Sequence, residues 1–77
     1  MTDRISIEPG IMSGKPCIRG TRIPIYIILN LIAGGYSLDK VLETYPQLTR
    51  EDVLAAISYA GFLTEREEFH SLQTAAL

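Results

Sequence analysis

The feature that most constrains this fold is an apolar run, Ile25–Ala33, that lies between Pro24 and the pair Gly34-Gly35. Its β-branched residues would suit a strand, but the run is long for a strand and ends at a glycine pair that favours a helix terminus. Pro24 suits the first position of a helix, where its missing N–H has no intrahelical partner. The pattern therefore predicts a helix that is apolar on nearly every side. Such a helix must pack against other residues on more than one of its sides.

The chain has little material to cover that helix by itself. Its 77 residues form one small domain, and small domains bury a low fraction of their surface. Cys17 is the only cysteine, so no intrachain disulfide adds stability. We interpret Cys17 as a small buried apolar side chain, because it lies between Pro16 and Ile18 with no His or acid beside it. We therefore predict a homodimer through the apolar helix, with Ile28 among the exposed residues that contact the second copy.

The sequence predicts neither a secreted nor a membrane-inserted protein. Residues 1–9 include Asp3 and Glu8 and lack a long apolar region, so they do not resemble a secretion signal. The apolar run is also much shorter than the roughly 20 residues of a membrane-spanning helix. A single cysteine fits a reducing compartment. We expect a cytoplasmic protein with no membrane association.

The charges are unevenly distributed along the chain. Net charge is −2, yet residues 1–26 carry four basic and two acidic residues, whereas residues 27–77 carry three basic and seven acidic ones. Three of the four basic residues in the N-terminal segment lie in a loop with two glycines: Lys15, Arg19 and Arg22. Either these cations contact nucleic-acid phosphates, or they pair with the acidic helices in a purely structural loop.

Strand and helix signals flank the apolar run. The alternating Ile5-Ser6-Ile7 precedes the turn signal Pro9-Gly10, and Cys17-Ile18 is a candidate partner strand. Downstream, two amphipathic stripes with spacing i, i+3, i+4, i+7 predict two more helices: Leu38, Val41, Leu42, Tyr45, then Val53, Ala56, Ile57, Ala60.

The two downstream helices carry clear boundary signals. Ser37 suits the cap of the first, and Pro46 stops it. Thr49 and Asp52 form a variant of the capping box before the second. The connection between them is only about four residues, which is consistent with a helix-turn-helix or with a plain helical hairpin.

The C-terminal tail has two interpretations. Thr64-Glu65-Arg66-Glu67 fits a capping box, which divides the chain into a domain at 1–63 and a tail helix at 64–77. Alternatively, Gly61 merely interrupts a longer third helix. The predicted fold is mainly α: a three- to four-helix, helix-turn-helix-like bundle with a short N-terminal β-hairpin.

Candidate binding residues lie in the loop, on the third helix and in the tail. We assign nucleic-acid contacts to five residues: Lys15, Arg19, Arg22, Arg50 and Ser58. The tail offers an apolar face with adjacent acids that suits a basic partner, through Phe62, Leu63, Glu67 and Phe69. The alternative is that the apolar tail residues complete the protein's own core. The sequence shows no catalytic constellation, metal site or cofactor motif, and His70 is the only histidine.

Four segments together resemble the domain-of-unknown-function family four hundred and thirty-three (DUF433), a group of small prokaryotic proteins often described as VapB-type antitoxins. They are residues 14–23 (GKPCIRGTRI), 33–37 (AGGYS), 45–53 (YPQLTREDV) and 55–60 (AAISYA). The resemblance covers roughly residues 4–61. Ser13 departs from it, because the family often has the first of two glycines there.

The resemblance implies a compact helical, DNA-binding-like domain with a short β element. It also implies pairing with a PIN-like nuclease toxin and repression of the protein's own operon. The function expected from it is that of a non-enzymatic, antitoxin-like protein that binds operator DNA and neutralises the toxin. The alternative is a protein-interaction module without DNA binding.

Overall fold

A computed structural model describes residues 3–65. The chain forms strand β1 (Ile5–Ser6), strand β2 (Cys17–Ile18), and the helices α1 (Ile25–Ala33), α2 (Leu38–Thr44) and α3 (Arg50–Leu63). The predicted order of elements is confirmed: three helices follow a two-stranded antiparallel hairpin.

The hairpin holds the N-terminus against the start of α1. Ile5 pairs with Ile18 and Ser6 with Cys17. Cys17 also bridges to Pro24 on its other side, and the Ile25 N–H donates to the Pro16 carbonyl at 2.9 Å. These bonds place Cys17 in the interior, where it is 1% exposed, as expected for a packed rather than a reactive thiol.

The sequence signals at the end of α1 and the start of α2 are confirmed, whereas Pro24, predicted at the first position of a helix, has extended backbone and is the N-cap of α1. Gly35, at φ 103°, follows the last residues of α1, and the N–H groups of Gly35 and Tyr36 donate to the carbonyls of Ile32 and Leu31. This pattern satisfies carbonyls at the end of the helix and needs a residue that tolerates positive φ. Ser37 caps α2, because its Oγ accepts from the Lys40 N–H at 3.1 Å.

Helix α3 continues through Gly61 without a break and ends at Leu63. The backbone of Thr64 is helical, and its hydroxyl donates to the Gly61 carbonyl. Gly61 therefore does not interrupt α3, and the choice between a longer third helix and a separate tail helix stays a prediction. The rest of the predicted tail helix, 66–77, lies outside the described residues.

The core lies where α1, α2, α3 and β2 meet. Its fully buried large side chains include one from each of these elements: Ile18, Ile28, Val41 and Val53. Placing Ile28 among exposed residues of α1 is therefore wrong, since it is 0% exposed. Ile57 was expected on the buried stripe of α3, but it is 44% exposed because Ala55 takes the core-facing position instead.

Candidate nucleic-acid and partner interfaces

Arg19 is bonded to the backbone of the N-terminal strand. Its N–H donates to the Arg4 carbonyl, and its guanidinium donates from Nε to the Asp3 carbonyl and from Nη2 to the Ile5 carbonyl, the last at 3.0 Å. These bonds satisfy the Ile5 carbonyl of β1 and the carbonyls of the two residues that precede it. The arrangement gives Arg19 a structural role and leaves fewer of its donors for a phosphate.

Lys15 and Arg22 have different surroundings. The Lys15 Nζ lies 5.9 Å from the ring centroid of Tyr26, a cation–π contact. Arg22 is exposed and forms no hydrogen bond or ion pair with the other residues between 3 and 65. Of the three loop cations, Arg22 is the one whose side chain has no partner among residues 3–65.

The loop containing Arg22 lies beside the turn that precedes α3. Gly20, Thr21 and Arg22 line a groove of about 490 Å³ together with Gln47. Thr21 stabilises the loop, because its hydroxyl donates to the Ile18 carbonyl and accepts from the Ile23 N–H. A rigid loop therefore presents Arg22 close to the connection between α2 and α3.

The first turn of α3 combines a strong cap with a surface cation. The Asp52 Oδ2 accepts from the Thr49 N–H at 2.9 Å, and the Thr49 Oγ1 accepts from the Asp52 N–H at 3.2 Å. Arg4 pairs with Asp52 Oδ1 at 3.0 Å. Arg50 is exposed at the start of the helix, and Ser58 is exposed about 12 Å further along its axis. Ser58 therefore does not join the cations at the N-terminal end.

Between Arg50 and Ser58, the outward face of α3 carries two large apolar side chains, which follow the exposed Glu51. Leu54 is 51% exposed and Ile57 is 44% exposed. Phe62 and Leu63 at the end of the helix are 39% and 40% exposed. Neither residue was predicted to bind a partner, because the sequence pattern placed Ile57 on the buried stripe and left Leu54 as a single apolar residue outside it.

A second apolar surface lies between α1 and the end of α3. It forms a groove of about 710 Å³, here called the α1–α3 groove, lined by Ile25, Tyr26, Leu29, Tyr59, Ala60 and Leu63, with Lys15, Pro16 and Thr64 at its ends. Glu67 and Phe69, the remaining predicted partner-binding residues, lie outside the described residues.

No group of three or more His, Cys, Asp or Glu among residues 3–65 is arranged to hold a metal ion. Within the same residues, no helix has both the length and the apolar character needed to cross a bilayer.

Comparisons with known proteins agree on one family. The model of the family described as "Protein of unknown function (DUF433)" matches residues 5–60. The uncharacterized protein y4eO of Sinorhizobium fredii (strain NBRC 101917 / NGR234) is 38% identical over 56 residues, which are 73% of this chain and 25% of that protein. The chain thus spans a quarter of the length of this curated relative.

A solved structure is also similar to this chain. The crystal structure of a DUF433 member protein from Anabaena variabilis ATCC 29413 matches with a TM-score of 0.73 and 32% sequence identity. The match covers 99% of this chain and 71% of that one. The arrangement of three helices after an N-terminal hairpin is therefore shared with an experimentally determined relative.

Proposed function

This chain belongs to the DUF433 family, and from that premise we propose that it is a non-enzymatic, antitoxin-like protein of the cytoplasm. In this proposal it neutralises a PIN-like nuclease toxin through exposed apolar residues of α3 and binds operator DNA through Arg22 and Arg50, near the start of the same helix. The exposed Leu54 and Ile57, on the outward face of α3, are the observation that supports toxin binding. Large apolar side chains adjacent on one helix face are typical of a protein-binding surface.

Homodimerisation through α1 is part of the same proposal. Ile27 and Leu31 are half-buried on a different side of α1 from Tyr26, which lines the groove. A second copy that covers Ile27 and Leu31 would remove this apolar surface from water without using the outward face of α3.

Toxin binding is tested with the Ile57→Ser variant and a purified PIN-like nuclease. Because Ile57 contributes buried apolar area in the proposed complex, we expect the dissociation constant to rise about tenfold. Isothermal titration calorimetry measures it. Tyr36→Ser is the matched control, since Tyr36 is 37% exposed and precedes α2. Equal weakening by both variants, or by neither, contradicts the proposed surface.

Operator binding is supported by the position of Arg22 beside the turn that leads into α3. If Arg22 contacts a phosphate, Arg22→Ala should weaken binding to all DNA sequences alike and lower the slope of log K against log salt by about one. Gel shifts on the native promoter region at several salt concentrations measure this slope. The unfolding midpoint of Arg22→Ala should equal that of the wild type, because the Arg22 side chain forms no hydrogen bond or ion pair with the other residues between 3 and 65.

Arg19→Ala provides the contrasting control in the same assay. Its guanidinium donates to the Asp3 and Ile5 carbonyls, so this variant should lower the unfolding midpoint rather than act only on DNA. Absence of any shift with folded wild-type protein would favour the alternative, a protein-interaction module without DNA binding.

A further inference from the structure

We infer that Gln47 selects the DNA sequence that this chain binds, and that its side-chain amide recognises an adenine in the major groove. This inference rests on the operator binding proposed above and adds to it the residue that contacts a base. Gln47 was not among the nucleic-acid contacts predicted from the sequence, because no local pattern places it beside Arg22.

Gln47 is an exposed residue in a fixed turn. It lies between α2 and α3, three residues before α3 begins. Pro46 restricts the backbone on one side, while Leu48 on the other is 5% exposed and its N–H donates to the Tyr45 carbonyl at 2.9 Å. The Gln47 amide forms no hydrogen bond with the other residues between 3 and 65. This amide is available to an external group, and its backbone is already ordered before binding.

The groove beside this turn has the chemistry of a site for a base edge. Gln47 and Arg22 line it together although they are far apart in the chain, and Glu8 lines it as well. The Glu8 carboxylate repels phosphate, but it can accept a hydrogen bond from an amino group of a base. A lining that combines amide, carboxylate and guanidinium groups matches the mixed donors and acceptors of a base edge. In this arrangement Arg22 contacts the phosphate backbone and positions the duplex, whereas Gln47 contacts a base.

Adenine is the base whose major-groove edge fits a glutamine amide. The side chain of Gln47 has a carbonyl oxygen that accepts and an NH₂ group that donates. Adenine presents the complementary pair, an amino donor at N6 beside an acceptor at N7, so both hydrogen bonds form at once. In helix-turn-helix proteins the residues at the N-terminal end of the recognition helix contact base edges. Gln47 extends from the turn that leads into the corresponding helix here, α3.

The test uses the full chain and the DNA duplex that it selects from a pool of random sequences. Each A·T pair of that duplex is replaced in turn by G·C, and fluorescence anisotropy measures the dissociation constants. At one A·T pair we expect the replacement to raise the dissociation constant of the wild type about tenfold and that of Gln47→Ala not at all. Ser58→Ala is the matched control: it removes an exposed polar side chain further along α3 and should keep the wild-type preference.

A modified base tests the hydrogen bond itself. 7-Deazaadenine lacks the N7 acceptor but still pairs with thymine. At the selected position it should weaken binding of the wild type about fivefold and leave binding of Gln47→Ala unchanged. Both proteins should show the same slope of log K against log salt, because Gln47 carries no charge.

The outcomes separate this inference from operator binding. An unchanged base preference in folded Gln47→Ala would overturn the inference while operator binding stands, and so would equal binding of the wild type to all duplexes. Should Gln47→Ala fail to fold, equal affinity of the wild type for adenine and 7-deazaadenine at every position would overturn it. Folded wild-type protein that binds no duplex would contradict operator binding itself, and the inference with it.

Discussion

Replacing Ile28 with Ala is expected to lower the free energy of unfolding by about 3 kcal/mol, and the Tm by roughly 15 °C. Ile28 is 0% exposed and packs in the core cluster that joins α1 to α3. The substitution removes buried methyl groups and leaves a cavity that the surrounding helices fill only in part. A domain of this size has few other core residues to compensate. Urea denaturation followed by circular dichroism measures the change.

Leu54→Ala is the control for the Ile28 variant. It deletes a side chain of similar size, but Leu54 is 51% exposed on the outward face of α3. We expect it to change the free energy of unfolding by less than about 1 kcal/mol. Similar losses in both variants would mean that Ile28 is not the buried side chain that the structure describes.

Ile28 also shows which part of the fold sequence reasoning can reach. Helix boundaries are set by local chemistry, such as Ser37, the Thr49–Asp52 pair and Gly35, and these were predictable. The side of α1 that packs against the core could not be predicted. A helix that is apolar on nearly every side carries no periodic signal that distinguishes its buried residues from its exposed ones.

The same limit applies to the candidate site. The sequence shows three cations in one loop, but no local pattern distinguishes their roles. Their differences arise from long-range contacts: the Arg19 guanidinium reaches carbonyls of β1 and of the residue Asp3, and Lys15 reaches Tyr26 on α1. Such contacts depend on how the hairpin packs, which no local pattern specifies. The exposure of Ile57 likewise depends on the rotation of α3 in the fold, because Ala55 occupies the core-facing position.

Asp52→Ala is expected to lower the free energy of unfolding by about 2 kcal/mol, because this carboxylate accepts two hydrogen bonds at the start of α3. Its Oδ2 accepts from the Thr49 N–H, which completes the capping box, and its Oδ1 accepts from Arg4. Asp52 is only 8% exposed, so water poorly replaces the lost acceptor. Thermal and urea denaturation of the variant measure the loss.

Two further variants separate the cap from the ion pair. Asp52→Asn keeps a side-chain oxygen that can accept from the Thr49 N–H but removes the charge that faces Arg4. Arg4→Ala removes the partner, whose side chain is 46% exposed, and should cost less than about 1 kcal/mol because solvent screens such a pair. If the cap dominates, both variants will be milder than Asp52→Ala. A loss in Arg4→Ala equal to that in Asp52→Ala would show instead that the ion pair between the N-terminus and α3 is the main contribution.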